Sequence, residues 1–229
     1  EIKDAVVGII RELGYRAAGK TLNIDAVEEV LGVDMGGTPL PPRERLRPLL
    51  AVMLIMIETM GLATLISAEI ERRTIHALLV TQATVVDIFT SKGIAGISLA
   101  FGQAGLFMGI VGGLSRQPLV VLSALFLGAV LVIASGFIIG AVAKDMLSVL
   151  AWSLPVIIIL LIPSLAIAFP GSVTGWVEVL PTYYLVDTVH RASNFGFGWG
   201  DVWWNLLILG GFDLVLICAG VFALGRRVK

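Results

Sequence analysis

The sequence has one cysteine, two histidines and few charges. A lone thiol, Cys218, can form no internal disulfide, and it lies in an apolar run. His76 and His190 stand isolated and leave little for a metal site. A metalloprotease pattern such as H-E-x-x-H is absent. Charged residues make up 14% of 229, where a soluble domain carries nearer a quarter. The net charge of −1 supplies no basic field, which argues against a nucleic-acid partner. No secretory signal peptide is visible, and the chain begins at Glu1, so an earlier membrane span can precede it.

What fills the chain instead is apolar residues, 57% of the total, with a mean hydropathy of +0.96. They come in long runs. Residues 48–68 hold one charge, Glu58; 93–115, 119–143 and 146–177 hold none; 202–224 hold only Asp213. Each run reaches the roughly 20 residues needed to cross a hydrocarbon core of about 30 Å. The runs are continuous and not alternating, so helices are expected and not barrel strands. The fold class read from this is an all-α membrane protein. It is a polytopic bundle of five visible transmembrane helices near 47–67, 88–114, 119–143, 147–169 and 202–224.

The short link at 115–118 makes the second and third spans an antiparallel hairpin. Gly105, Gly109 and Gly113 recur every fourth residue, as do Gly136 and Gly140. Small residues at this spacing let helix backbones approach in lipid; the alternative is a glycine-lined pathway. Pro155 and Pro163 predict a kink in the fourth span. Residues 171–201 carry Trp176, Tyr183, Tyr184, Phe195, Phe197 and Trp199, with Trp203 and Trp204 just after. Amphipathic aromatics collect where headgroups meet hydrocarbon, so an interfacial belt with a short helix near 177–192 is expected. An aromatic substrate gate is the sharper alternative.

The leading 47 residues read as soluble. Ile2, Ala5, Val6, Ile9, Ile10 and Leu13 share one helical face. Asp25, with Glu28 three residues on, predicts a second short helix ended by Gly32, and Gly36, Gly37, Pro39, Pro41 and Pro42 a linker. Residues 14–21 match the phosphate-binding pattern G-x-x-x-x-G-K-[ST], with Lys20 and Thr21 in the phosphate and Mg²⁺ positions. The context fails: the preceding segment is helix-periodic, and no compact nucleotide domain fits before Pro48.

The charged connection between the first two spans carries the most informative pattern. Glu69, Glu71, Arg72, Arg73, Thr74, Leu78, Leu79, Thr81, Asp87 and Lys92 follow one another there. This resembles the first cytoplasmic loop of ABC-2 type permeases, the membrane subunits of ATP-driven exporters. Their pattern runs from an acidic-basic cluster through Thr and Leu-Leu-x-Thr-Pro to an acidic residue and a Lys. Gln82 stands where that family usually has Pro. Leu180-Pro-Thr-Tyr-Tyr-Leu resembles the family's segment before the last span, and the basic end at Arg226, Arg227 and Lys229 resembles its tail.

The resemblance spans about residues 46–229 and implies a six-span subunit whose first span precedes Glu1. Residues 1–45 then become the end of an extracytoplasmic segment. It implies that Glu69, Glu71, Arg72, Arg73, Thr74, Leu78 and Leu79 form a coupling helix docked on a separate ATPase subunit, with ATP and Mg²⁺ bound in that partner and none in this chain. A second permease subunit, a homo- or heterodimer, and residence in the plasma membrane are implied too. From composition alone the same stretch, with Ile75, Leu78 and Leu79 on one face, is a helix lying at the bilayer surface.

Charge distribution bears on orientation. Arg72, Arg73, Lys92, Lys144, Arg226, Arg227 and Lys229 share one side; Arg116, Arg191, Arg43, Arg45 and Arg47 share the other. The positive-inside rule modestly favours a cytoplasmic C-terminus. Polar groups inside spans are costly and face a cavity or a partner, which makes Glu58, Gln103 and Asp213 candidates for a translocation path. The leading reading is a transport subunit, not an enzyme. An intramembrane enzyme using Glu58, Asp213 or a histidine, and a non-catalytic scaffold, are the alternatives.

Overall fold

The computed structural model describes residues 6, 7, 10, 41–72, 84–169 and 175–227. The chain divides into two compact units, residues 1–38 and 39–229. Of the first unit only Val6, Val7 and Ile10 are described; all three are helical and exposed. The second predicted helix, the glycine part of the linker and the phosphate-loop pattern lie outside the described residues.

The second unit is helical, with no strand among its described residues. Its α-helices are α1 (Pro42–Glu71), α2 (Val85–Ile110), α3 (Pro118–Val142), α4 (Met146–Ala168), α5 (Pro181–His190) and α6 (Trp199–Arg227). A 3₁₀ turn, Gly175–Val179, precedes α5, and a π turn, Arg191–Phe195, follows it. All but α5 are long and apolar enough to cross a membrane.

Local chemistry sets the ends. Proline opens α1, α3 and α5, where its missing N–H costs nothing. Thr84 and Asp87 form a reciprocal capping box at the start of α2. Asp145 caps α4, accepting from the Ser148 N–H at 2.7 Å. That hydrogen bond, before any other cause, holds the exposed Asp145 carboxyl below its ordinary pKa. The cap is therefore complete in and above the usual carboxylate range and is lost only as pH falls below it, through the lowered pKa.

Two spans differ most from the hydropathy reading. α1 extends from Pro42 to Glu71, because polar residues outside the apolar core continue the same helix. α2 stops at Ile110, not near 114, because Gly112 turns left-handed (φ +74°) and the Gly113 N–H returns to the Met108 carbonyl at 2.8 Å. α4 runs unbroken as an α-helix through Pro155 and Pro163.

α3 is the hub, with α1, α2, α4, α5 and α6 all packed on it. Its glycines set the closest approaches. A Cβ on Gly136 would lie 2.9 Å from the Thr59 carbonyl oxygen; one on Gly140 would lie 2.8 Å from the Ile66 Cβ and 2.9 Å from the Ala63 carbonyl oxygen. These two residues admit α1 at backbone distance. Phe89 of α2 stacks on Phe137 of α3 at 4.0 Å and also lies against Gly220 of α6, 2.9 Å from where its Cβ would be.

The row of Gly105, Gly109 and Gly113 does not act as one surface. Gly105 has Leu122 at ordinary contact distance, 3.6 Å from its would-be Cβ, while Gly109 is exposed. Gly113 lies past the helix end against Met108 of its own turn. The early stop of α2 breaks the helical spacing on which that row depended.

The segment expected as a helix over 177–192 is shorter and is packed against the spanning helices. α5 buries Thr182, Leu185, Val186, Asp187, Thr188 and Val189, and packs on α1, α3, α4 and α6. A Cβ on Gly128 would lie 2.7 Å from Leu185, so the middle of α3 is hollowed for that side chain. Trp176, Trp199, Trp203 and Trp204 remain exposed around it.

Substitution separates the two glycine rows. Gly140→Ala is expected to destabilise the bundle by about 1–3 kcal/mol, because the added methyl meets backbone. Gly105→Ala is expected to stay within about 0.5 kcal/mol. Unfolding of the purified protein in mixed micelles reads both.

Candidate functional site

The connection joining α1 to α2 is tied at its base. Glu69, in the last turns of α1, and Lys92, in the second turn of α2, form an ion pair at 2.6 Å. Both side chains are about four-fifths buried, at 21% and 20% exposure. The pair joins the two stems of the 72–84 connection, which cannot splay without separating opposite charges. Beyond it Glu71 and Arg72 are exposed, and Arg72 ends α1 with its N–H on the Ala68 carbonyl. Glu69 and Glu71 thus belong to the membrane helix itself and not to a separate surface helix. Arg73, Thr74, Leu78 and Leu79 lie outside the described residues, as does His76.

A second tie lies deeper. The Gln103 amide donates to the Glu58 carboxylate at 2.9 Å. The two ties fall eleven residues apart on both helices. Eleven residues make close to three helical turns, about 16 Å, so both ties sit on the same face of the antiparallel pair. The hairpin therefore has a fixed register from its loop to the middle of the membrane. Asp213 is placed differently. It sits on α6 at 4% exposure, and neither carboxyl oxygen has a hydrogen-bond partner among the described residues. Glu58 and Gln103 are brought together; Asp213 is hydrogen-bonded to neither.

A third polar cluster occupies the opposite end of the bundle. Asp187 of α5 accepts from the Arg191 guanidinium at 2.9 Å and from the Asn205 amide of α6 at 2.8 Å. The Asn194 amide nitrogen, in the π turn, donates to the Glu44 carbonyl of α1 at 3.2 Å and lies 3.1 Å from His190 Nδ1. Phe195 meets the same imidazole edge-on. His190, isolated in the sequence, is thus part of a network. Burial, ahead of the opposing field of Asp187, lowers its pKa from the ordinary value, with Arg191 and Arg45 acting in the same direction. Burial raises that of Tyr183, helped by Asp187 and Glu178.

Sequence reading missed this cluster. Its signal was there: Asp187, Arg191 and Asn194 follow at i, i+4 and i+7, a polar stripe running from α5 into the π turn. The aromatics around it drew the reading toward the headgroups.

The ion pair can be tested by exchange. Lys92→Glu places two carboxylates together and is expected to cost roughly 2 kcal/mol, between the exposed and the buried limits for a broken pair. Glu69→Lys combined with Lys92→Glu is expected to recover most of that in the same unfolding measurement.

These three ties sit on a five-span helical bundle, and that bundle has a family counterpart. The family model described as ABC-2 family transporter protein matches residues 46–222. No curated protein and no solved structure matches the chain significantly. The family match runs from the outer turns of α1 through nearly all of α6, and so takes in every tie described above except the Glu44 carbonyl. On that match over most of its length, the chain belongs to the ABC-2 family of transporter proteins.

Proposed function

We propose that this chain is the permease subunit of an ATP-driven exporter, paired with a second permease subunit and with separate ATPase subunits that bind ATP and Mg²⁺. The observation that carries the reading is the Glu69–Lys92 pair at the base of the 72–84 connection. Force applied to a loop moves its helices only if the stems resist splaying, and this pair supplies that resistance. Exposed Glu71 and Arg72 stand beyond it as charged contacts for a docking protein. The side holding this connection also holds Lys144, Arg226 and Arg227, which supports a cytoplasmic placement of the connection and the C-terminus.

In this reading, closure of the ATPase dimer pushes the loop, and the α1–α2 hairpin tilts as one body because its register is fixed at two levels. Glu58 and Gln103 at the deeper level are the polar groups offered to a passing substrate. The same arrangement weighs against an intramembrane enzyme: Glu58 is engaged by an amide, and among the described residues Asp213 has no second acid or base hydrogen-bonded to it.

The test is capture and coupling. The tagged full chain is expected to copurify with an ATPase and to change its hydrolysis rate. Glu71→Lys with Arg72→Glu is expected to lower that coupling about tenfold, within the usual range of coupling energies, while leaving the unfolding midpoint unchanged. A chain that binds no ATPase would sink the proposal.

A further inference from the structure

α1 contains a proline in its second turn, Pro48, and this has a local consequence. In an α-helix the N–H of residue 48 would donate to the carbonyl of residue 44, and proline has none. The Glu44 carbonyl is left without that helical partner. The Asn194 amide takes it, at 3.2 Å, from a turn 150 residues further along the chain. Asn194 itself is 5% exposed.

The geometry fixes protons as well as positions. A carbonyl only accepts, so the amide nitrogen of Asn194, and not its oxygen, faces Glu44. The second hydrogen on that nitrogen points at His190 Nδ1, 3.1 Å away. Nδ1 must then carry a lone pair, which makes His190 neutral with its proton on Nε2. A protonated imidazole would set an N–H against an N–H. To relieve this the amide must turn, and turning withdraws its donor from the Glu44 carbonyl.

We propose that Asn194 is a positioning residue of the transport cycle, a latch that ties α1 to the π turn only while His190 keeps a lone pair on Nδ1. Its place in a cycle rests on the transporter reading; the latch does not. The charged groups that face the imidazole are Asp187 and Arg191 on its own helix and the following turn, and Arg45 on α1. Asp187 is itself held by Arg191 and by Asn205 of α6, so the latch connects α1 through α5 to the last span.

The direction of its pH dependence follows. Burial opposes a proton on latched His190, whereas a released imidazole titrates near its ordinary value of 6.5. The latch is therefore intact above that value and loosens as pH falls below it, because the released state takes up the proton. α1 also ends in the Glu69–Lys92 pair, so one helix links the loop at one end of the bundle to a proton-sensitive tie at the other.

Spin labels test this in the full chain in lipid nanodiscs, with Cys218→Ser as background. The labels go on Arg43→Cys, beside the latch on α1, and on Gly198→Cys, which has open space around it. One narrow distance distribution is expected at about pH 8, and a broader one, longer by several ångströms, at about pH 5, on either side of the ordinary histidine value. Asn194→Ala is expected to be broad at both, and His190→Gln, whose amide oxygen accepts without titrating, narrow at both. Pro48→Ala, which returns an N–H to the Glu44 carbonyl, is expected to broaden the distribution at high pH. A wild-type distribution that ignores pH overturns the latch, as does a pH response that persists in His190→Gln. These distances are read without any ATPase. A missing ATPase partner overturns the transport reading and leaves them as they are.

Discussion

The bundle depends first on how closely α1 can approach α3. Lipid tails are as apolar as leucine, so hydrophobicity gives spanning helices little reason to associate; packing does. Gly136 and Gly140 remove the side chains that would hold α1 off, and the Thr59 and Ala63 carbonyls come to within 2.9 Å of where their Cβ atoms would be. That contact buries the inner face of α1, including Ile55, Leu62, Ala63 and Ile66. It also decides which polar residues of α1 are left for other helices. Glu58 and Glu69 turn to α2, and the Glu44 carbonyl turns to the π turn after α5.

α1 consequently behaves as a strut with polar fittings. From Glu44 to Glu69 is 25 residues of one helix, about 37 Å, which exceeds the hydrocarbon thickness. The fittings differ in kind. The Glu69–Lys92 pair joins full charges near one end, the Gln103–Glu58 bond joins an amide to a carboxylate midway, and the Asn194 bond joins neutral groups at the far end. A displacement at the charged end cannot be absorbed by slippage against α2, because two ties at equal spacing on both helices would have to break together. It passes along the helix instead, and the weakest fitting is the one that yields.

Much of the architecture was legible because charge is excluded from hydrocarbon, and charge-free runs are easy to see. The spans of α3 and α4 come within a residue of the sequence reading for that reason. Where the ends depend on backbone conformation and not on polarity, reading charge fails. Ser115 ends an uncharged run, but the positive φ of Gly112 ends the helix. In the site, Glu58, Gln103 and Asp213 stand out as polar groups at mid-span, yet nothing in one sequence says that the first two meet and that the third is bonded to neither. Pairing across helices needs register, which no single helix carries. Pro48 shows the limit best. It reads as the start of an apolar run, whereas its effect is exerted four residues earlier, on a carbonyl whose partner lies 150 residues away.

The strengths of these ties suit their positions. Side-chain hydrogen bonds between membrane helices contribute on average about 0.6 kcal/mol and reach about 1.7. The bond from Asn194 therefore biases two states by a factor of about three to twenty, which holds a closed state without trapping it. A charge pair in the same place would be worse in both respects. It would cost more to desolvate, and once broken it would leave a buried charge at a cost of several kcal/mol. On the proposed coupling the requirement at the 72–84 connection is opposite, because a stem that opened at about 1 kcal/mol would dissipate a push from an ATPase. There the chain uses Glu69 and Lys92, partly buried and in contact, whose separation is costly. If force enters at the 72–84 connection as proposed, a strong fitting there and a weak one at the far end would let one helix both carry a displacement and be reset by a single proton.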